Sequence, residues 1–459
     1  MRNGFFFIIF SLGVTAHAAE KITYEQHVRP IFKQHCLNCH NPDKSKGDLD
    51  LATYKALLAG SSSGEIVVPG NADASALYLV MTHAEEPEMP PKKPKLPAKE
   101  LDLIKKWITG GIIENAGGTA KKSDKRSVNF DVVASPDGGV KGVPVVPENL
   151  PKVKMAKNLR PHPITAMAAS AWAPVAAVAG HESILLYNTE TREQLGVLPF
   201  PERIPYVLKF SRNGELLLAA GGRGAHSGKV VIFDVKTGER KTEIGDEFDV
   251  VLAADISADH RFVALGGPGK LVKIYSVANG KELHKIKKHT DWVTAMEFSP
   301  DGSMLASGDR SGGLHVWDPE GGSIIFTLDA HKQQVTEMAW RADSELLVSV
   351  AEDGKLVMWD TIEGWAAKTV VPHKEGKKDG SVLSVAYAKD GCLATAGRNK
   401  SVGYLTGSGS FKASFDAFED LPTRVAFTHD GKHVLAGDFE GRVQVWDPKE
   451  KRRVGFLGQ

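Results

Sequence analysis

Cysteine is scarce, with 3 residues in a chain of 459. That scarcity excludes a disulfide-rich scaffold. A basic excess is missing too: 57 Lys and Arg face 56 Asp and Glu. Chains built mainly to hold nucleic acid usually carry such an excess, so no nucleic-acid partner is expected. A long apolar run is also lacking. Phe5–Val14 falls short of the roughly 20 residues that span a bilayer. It follows Arg2 and precedes Ala16-His17-Ala18. A cation, a short apolar run and a small-residue cleavage site read as a secretory signal over residues 1–18. The expected compartment is the periplasm or cell envelope of a bacterium, with no transmembrane segment in the mature chain. A second apolar stretch, Ile164 to Gly180, contains Thr165, Ser170 and Pro174 and reads as two strands and a turn. The length exceeds what one core accommodates and predicts a multidomain chain.

Two of the cysteines stand together in Cys36-Leu37-Asn38-Cys39-His40. This C-x-x-C-H spacing is a c-type haem attachment pattern. Two thiols two residues apart can add to the two vinyl groups of one haem, and the adjacent His can ligate its iron. A zinc site would need a second ligand pair, yet the remaining cysteine is the distant Cys392. A thioredoxin-like pair would need a strand before the motif, whereas Tyr24, Val28, Ile31 and Phe32 recur there at helical spacing. The reading is one covalent haem c held by Cys36 and Cys39, with His40 on the iron. A second axial ligand is then expected, and thioether sulfur suits it. Met89 in Glu88-Met89-Pro90-Pro91 is favoured, because the prolines stiffen its loop. Met81 falls in an apolar helical pattern with Leu77 and Tyr78 and reads as core, while His83 is a competitor. Leu101, Ile104, Trp107 and Ile108 predict a second helix between Pro97 and Gly110-Gly111.

His27-Val28-Arg29-Pro30, the C-x-x-C-H motif, Val68-Pro69-Gly70-Asn71, Met89-Pro90-Pro91 and Trp107-Ile108-Thr109-Gly110-Gly111 together carry a likeness. Residues 20–114 resemble the cytochrome c domains widespread in Planctomycetes and Verrucomicrobia. The resemblance implies covalent haem c with axial His and Met, which fall here on Cys36, Cys39, His40 and Met89.

Residues 115–160 hold 9 Lys and Arg against 4 Asp and Glu and few aromatics. They read as a solvated linker, with one strand at Val128 to Val133. From 161 to 459 the chain repeats. Tyr187-Asn188, Phe233-Asp234, Tyr275-Ser276, Trp317-Asp318, Trp359-Asp360 and Trp446-Asp447 close successive units, and Tyr404 fills the sixth position. Turn signals such as Ser299-Pro300-Asp301-Gly302 precede short strands. A period of 40–45 residues with Trp-Asp endings is a signature of four-stranded propeller blades, so seven endings predict seven blades.

These units resemble the WD-repeat family. The resemblance implies that a His, a Ser or Thr, an Asp and the Trp of a blade share hydrogen bonds. His331, Ser349, Asp353 and Trp359 match in the fifth blade. The fourth has His289, Ser307 and Trp317, with Ser311 where Asp is usual. The seventh has Glu440 and Trp446 but Ala436 for Ser. These residues read as structural, and so does Cys392. Arg452 to Leu457 is expected to supply the last blade's outer strand, with Val153 to Leu159 a competitor. The glycine-rich Gly221 to Lys229 reads as a hairpin.

The fold class is thus a small all-α cytochrome c domain followed by an all-β seven-bladed WD-repeat propeller. No catalytic residue stands out. The expected role is one-electron transfer to a redox partner protein, with the propeller as a scaffold for another protein. Two alternatives stay open: an oxidoreductase with a second cofactor or substrate site in the propeller, and a haem-based sensor. The enzymes that join cytochrome c to a propeller usually have eight blades, which argues against the first.

Overall fold

A computed structural model describes residues 21–61, 65–73, 75–85, 87–121, 144–152, 162–376, 378–415 and 418–458. The expected signal, the strand at Val128 to Val133 and the segment Val153 to Leu159 lie outside the described residues. The chain divides into two compact units, residues 1–127 and 128–459.

The first unit is helical. Thr23 caps a short turn, Tyr24–Val28, that runs into the helix Arg29–His35. The apolar spacing read in the sequence becomes one buried face: Tyr24, Val28, Ile31 and Phe32 enter the core with Leu101, Ile104, Trp107 and Ile108 of the helix Ala98–Thr109. Tyr and Trp tips carry polar groups that must find partners when buried. Tyr24 Oη donates to Leu51 O at 2.8 Å, Tyr54 Oη to Ile112 O at 2.7 Å and Trp107 Nε1 to Ile113 O at 3.0 Å. The first bond ties the opening turn to the loop at Leu51, and the other two tie the helix Tyr54–Ala59 and the last helix to the segment that follows it. Gly110 ends the last helix, and Gly111 follows at φ +86°, a left-handed turn suited to glycine.

The second unit is a seven-bladed propeller. Seven four-stranded antiparallel sheets each come from one continuous stretch, with strands in chain order. The blades occupy residues 167–199, 204–247, 253–286, 293–328, 335–370, 382–415 and 422–456. Ile164 to Gly180 forms the expected pair of strands, Met167–Ala169 and Val175–Ala179. Gly221 to Lys229 lies in a lengthened hairpin in which Gly221 pairs with Lys229 and Gly222 with Gly228. A residue is inserted opposite the third strand in every blade, at its closing position, for example between Val316 and Trp317.

That register corrects one reading. In the sixth blade the shift falls between Tyr404 and Leu405, and Leu393 pairs with Leu405 as Leu305 pairs with Trp317. Leu405, not Tyr404, therefore occupies the closing position. A one-residue offset sends a side chain to the other face of a strand. Leu405 packs toward the fifth blade, while Tyr404 packs toward the seventh, with its ring 6.3 Å from Phe427.

Among the described residues, the first and last blades share no strand. Arg452–Phe456 supplies the outer strand of the seventh blade, as expected. Ile164, Met167 and Tyr187 of the first blade pack on Leu435, Val445 and Leu457 of the last. Thr423 Oγ1 donates to Ile164 O at 2.7 Å, and Ile164 N to Asp438 O at 3.1 Å. The same threonine bond recurs elsewhere: Thr165 to Pro205 O at 2.6 Å, Thr294 to Val335 O at 2.7 Å and Thr336 to Val382 O at 2.7 Å. Part of the expected solvated linker also lies on the propeller. Glu148 N donates to Lys236 O at 2.8 Å and Val197 N to Pro151 O at 2.9 Å, with Leu150 against Gly196 and Gly238.

Candidate functional site

The helix Arg29–His35 places the C-x-x-C-H motif at its C-terminal end, with Cys36 as cap. Cys36 N and Leu37 N both donate to Phe32 O, at 2.8 and 2.9 Å. The chain then tightens, and Cys39 N and His40 N both donate to Cys36 O at 3.1 Å. Cys36, Cys39 and His40 therefore share one turn. Asn41 fixes its exit: Nδ2 donates to Leu37 O at 2.6 Å, and Oδ1 accepts from Asp43 N and Lys44 N at 2.9 Å each. Asn41 escaped the sequence reading, although an Asn followed by Pro-Asp is a turn signal.

Both motif thiols are free and half-buried. Burial, with Cys39 nearby, pushes the Cys36 thiol up to about 12. A thioredoxin-type cysteine has the opposite setting, a helix N-terminus that lowers the thiol pKa. Cys36 sits at the negative end of its helix and stays a neutral thiol near neutral pH. Among the described residues no group of three His, Cys, Asp or Glu gathers to hold a bare metal ion. His40 Nδ1 is buried without a hydrogen-bond partner. A half-buried imidazole whose Nδ1 lacks that bond, beside two free thiols on one turn, fits a haem attached through both cysteines.

The three rivals for the second ligand lie apart in kind. Met81 is 2% exposed and belongs to the apolar core of the unit. His83 and Met89 are half-buried and are brought together: His83 Nε2 lies 3.2 Å from Met89 O. Met89 N donates to Val80 O at 3.0 Å. Lys92, Lys93 and Lys95 follow the Met-Pro-Pro turn and are exposed. A contact between the two helices that sequence cannot reveal is His35 Nε2 to Glu100 Oε2 at 3.0 Å, immediately before Cys36.

Polar side chains in the propeller join the strands of single blades. The expected set in the fifth blade is present: Trp359 Nε1 donates to Ser349 Oγ at 2.8 Å, His331 Nε2 lies 2.7 Å from Ser349 Oγ, and His331 Nδ1 lies 3.3 Å from Asp353. The fourth blade has a complete set as well, with Asp309 in place of the expected position 311. Ser311 Oγ donates to Asp309 Oδ1 at 2.8 Å, so it supports the acid rather than replacing it. The sixth blade carries a set the sequence reading missed, with His373 Nε2 2.9 Å from Thr395 Oγ1 and Nδ1 3.1 Å from Ser401 Oγ. In the seventh blade Trp446 donates to Gln444 Oε1 at 3.2 Å and stacks on Phe415 at 5.0 Å. Along the inner strands, Glu297 meets Lys209 and Arg212 at 3.5 Å each, and Asp255 accepts from Phe298 N at 2.8 Å. Burial pushes both carboxyls up.

Comparison with known families matches residues 36–93 to Planctomycete cytochrome C. That stretch holds Cys36, Cys39, His40 and Met89. Residues 280–318, 322–360 and 409–447 match the WD domain, G-beta repeat. No curated protein matches the chain. The protein carries a Planctomycete cytochrome C domain and WD repeats that form a seven-bladed propeller.

Proposed function

We propose that the protein is an exported one-electron carrier with a single covalent haem c, and that its propeller is a scaffold for a protein partner. The observation that carries this is the single turn bearing Cys36, Cys39 and His40, with free thiols and a buried imidazole nitrogen lacking a partner. The Cys36 and Cys39 thiols would form the thioether links, and His40 and Met89 would hold the iron. The haem supplies a one-electron iron couple when bound. Leu37 and Leu49, partly buried on the domain core, keep the motif's surroundings apolar. An apolar shell of this kind limits water access and raises a haem potential. The exposed Lys92, Lys93 and Lys95 give a cationic edge that would steer an acidic redox partner. The cation, apolar run and A-x-A site at residues 1–18 support export to the periplasm or cell envelope. WD propellers commonly present rigid surfaces to proteins, which supports the scaffold role.

The test is spectroscopic. The purified full chain is expected to hold low-spin haem that stays with it on denaturation, and Met89→Ala is expected to admit external ligands to the iron. A native-like six-coordinate spectrum in Met89→Ala without added ligand would refute Met89. Ready ligand binding by the wild type would turn the reading toward a sensor. Steady turnover of a small substrate, or a second cofactor in the purified chain, would turn it toward an enzyme.

A further inference from the structure

We propose that His83 is a positioning residue for Met89, and that its ring holds the thioether-bearing loop by donating Nε2–H to the Met89 carbonyl. The inference rests on Met89 as an axial ligand.

The geometry begins at the end of the helix Ala76–Met81. Thr82 caps that helix, and the next residue, His83, turns to φ +59°. Ala84 N then donates back to Leu79 O at 3.0 Å. Such a left-handed position just past a helix is ordinarily glycine, because a Cβ is strained there. Histidine takes that position here, and its side chain makes a contact that glycine could not. The ring reaches Met89 O at 3.2 Å, and Met89 N already donates to Val80 O at 3.0 Å. Both backbone polar groups of Met89 are therefore secured to the same helix end. Pro90 follows directly with a fixed φ. The thioether is left as the one group of Met89 with freedom to reach a ligand.

The same contact removes Nε2 of His83 from the candidates for the iron. A carbonyl oxygen can only accept, so Nε2 must carry the proton. Its lone pair is then not available to a metal. The other ring nitrogen faces Glu88, with Nδ1 3.9 Å from Oε2. His83 competes with Met89 as a ligand in the sequence and serves it as a clamp in the fold.

The experiment uses the full haem-loaded chain in its ferric form. Two readouts are followed: the weak red charge-transfer absorption of thioether-ligated ferric haem, and imidazole titration of the iron. His83→Asn tolerates the left-handed backbone but is too short to reach Met89 O. It is expected to keep the red absorption while binding imidazole about tenfold more readily, the factor that one net hydrogen bond represents. His83→Gln places an amide N–H near the position of Nε2 and is expected to restore wild-type behaviour. Should His83→Asn fail to take up haem, the isosteric pair decides: His83→Glu, which only accepts, should loosen the loop where His83→Gln does not. An imidazole affinity in His83→Asn equal to wild type overturns the clamp, and so does a His83→Gln as weak as His83→Asn. Persistence of the red absorption in Met89→Ala, or its absence from the wild type, instead overturns the ligand assignment beneath it.

Discussion

His289 and Asp309 form the buried end of a directed hydrogen-bond chain, with His289 Nδ1 2.8 Å from Asp309 Oδ2. Trp317 Nε1 donates to Ser307 Oγ at 2.8 Å, and that hydroxyl lies 2.7 Å from His289 Nε2. Asp309 can only accept, so Nδ1 carries the proton, and Ser307 donates to Nε2. The chain runs from Trp317 through Ser307 and His289 to Asp309 and links two strands and a loop.

His289→Leu should therefore cost more than a lost contact. It leaves the buried Oδ2 of Asp309 without its histidine donor, a change worth about 3 kcal/mol. Asp309→Ala should cost a similar amount, and Ser311→Ala about 1 kcal/mol or less. Urea unfolding of the three variants checks the assignment. Equal effects of Asp309→Ala and Ser311→Ala would sink it.

Acid should weaken this blade in two stages. His315 packs 4.8 Å from His289. Burial, aided by repulsion from His289 and Lys288, holds its pKa at about 4 against an ordinary 6.5. The unfolded chain takes up that proton first. His315 thus contributes full stability above about pH 6.5 and loses it as pH falls toward 4. Burial raises the Asp309 pKa, but hydrogen bonds from His289, Ser311 and Gly313 outweigh burial and hold it at about 2. Its contribution is present above the ordinary 3.8 and is lost as pH falls through about 2. Melting curves of His315→Phe should show a flatter pH dependence than wild type between pH 6.5 and 4. Parallel profiles would contradict this.

Ring closure depends on side chains as well as packing. Thr423→Val removes the donor to Ile164 O and should lower stability by about 1 kcal/mol. Thr294→Val, at an interior junction, should cost about the same. Calorimetry of both variants is the measurement. A neutral Thr423→Val would mean that closure rests on the apolar contacts and the backbone bond from Ile164 N to Asp438 O.

The two thiols should act as independent anchors. Cys36→Ala or Cys39→Ala should each leave haem on the chain through one thioether. The double variant should release it on a denaturing gel stained for haem. Haem retained by the double variant would disprove attachment through this motif.

Much of this was legible from residue order. C-x-x-C-H needs only local spacing, because one turn brings its three side chains together. Blade count follows from a period repeated along the chain, since each blade folds from its own continuous stretch. The helical faces of Tyr24 to Phe32 and Leu101 to Ile108 were visible because burial imposes a period of about 3.6 residues. Other features needed strand register. Tyr404 and Leu405 are adjacent in sequence, and only the inserted residue opposite them decides which faces the preceding blade. Asp309 replaces an acid expected two residues later, because a side chain can reach His289 from either place.

By itself, the sequence determined the haem motif, the seven units and the helices that flank the motif. Each of these is written in local spacing or in repetition. Tertiary structure alone decided that Asp309 completes the fourth blade, that Thr423 helps close the ring and that His83 meets the Met89 carbonyl. Those relations depend on where a turn or a neighbouring blade places a donor, and hydrogen bonds tolerate only a few tenths of an ångström in that placement.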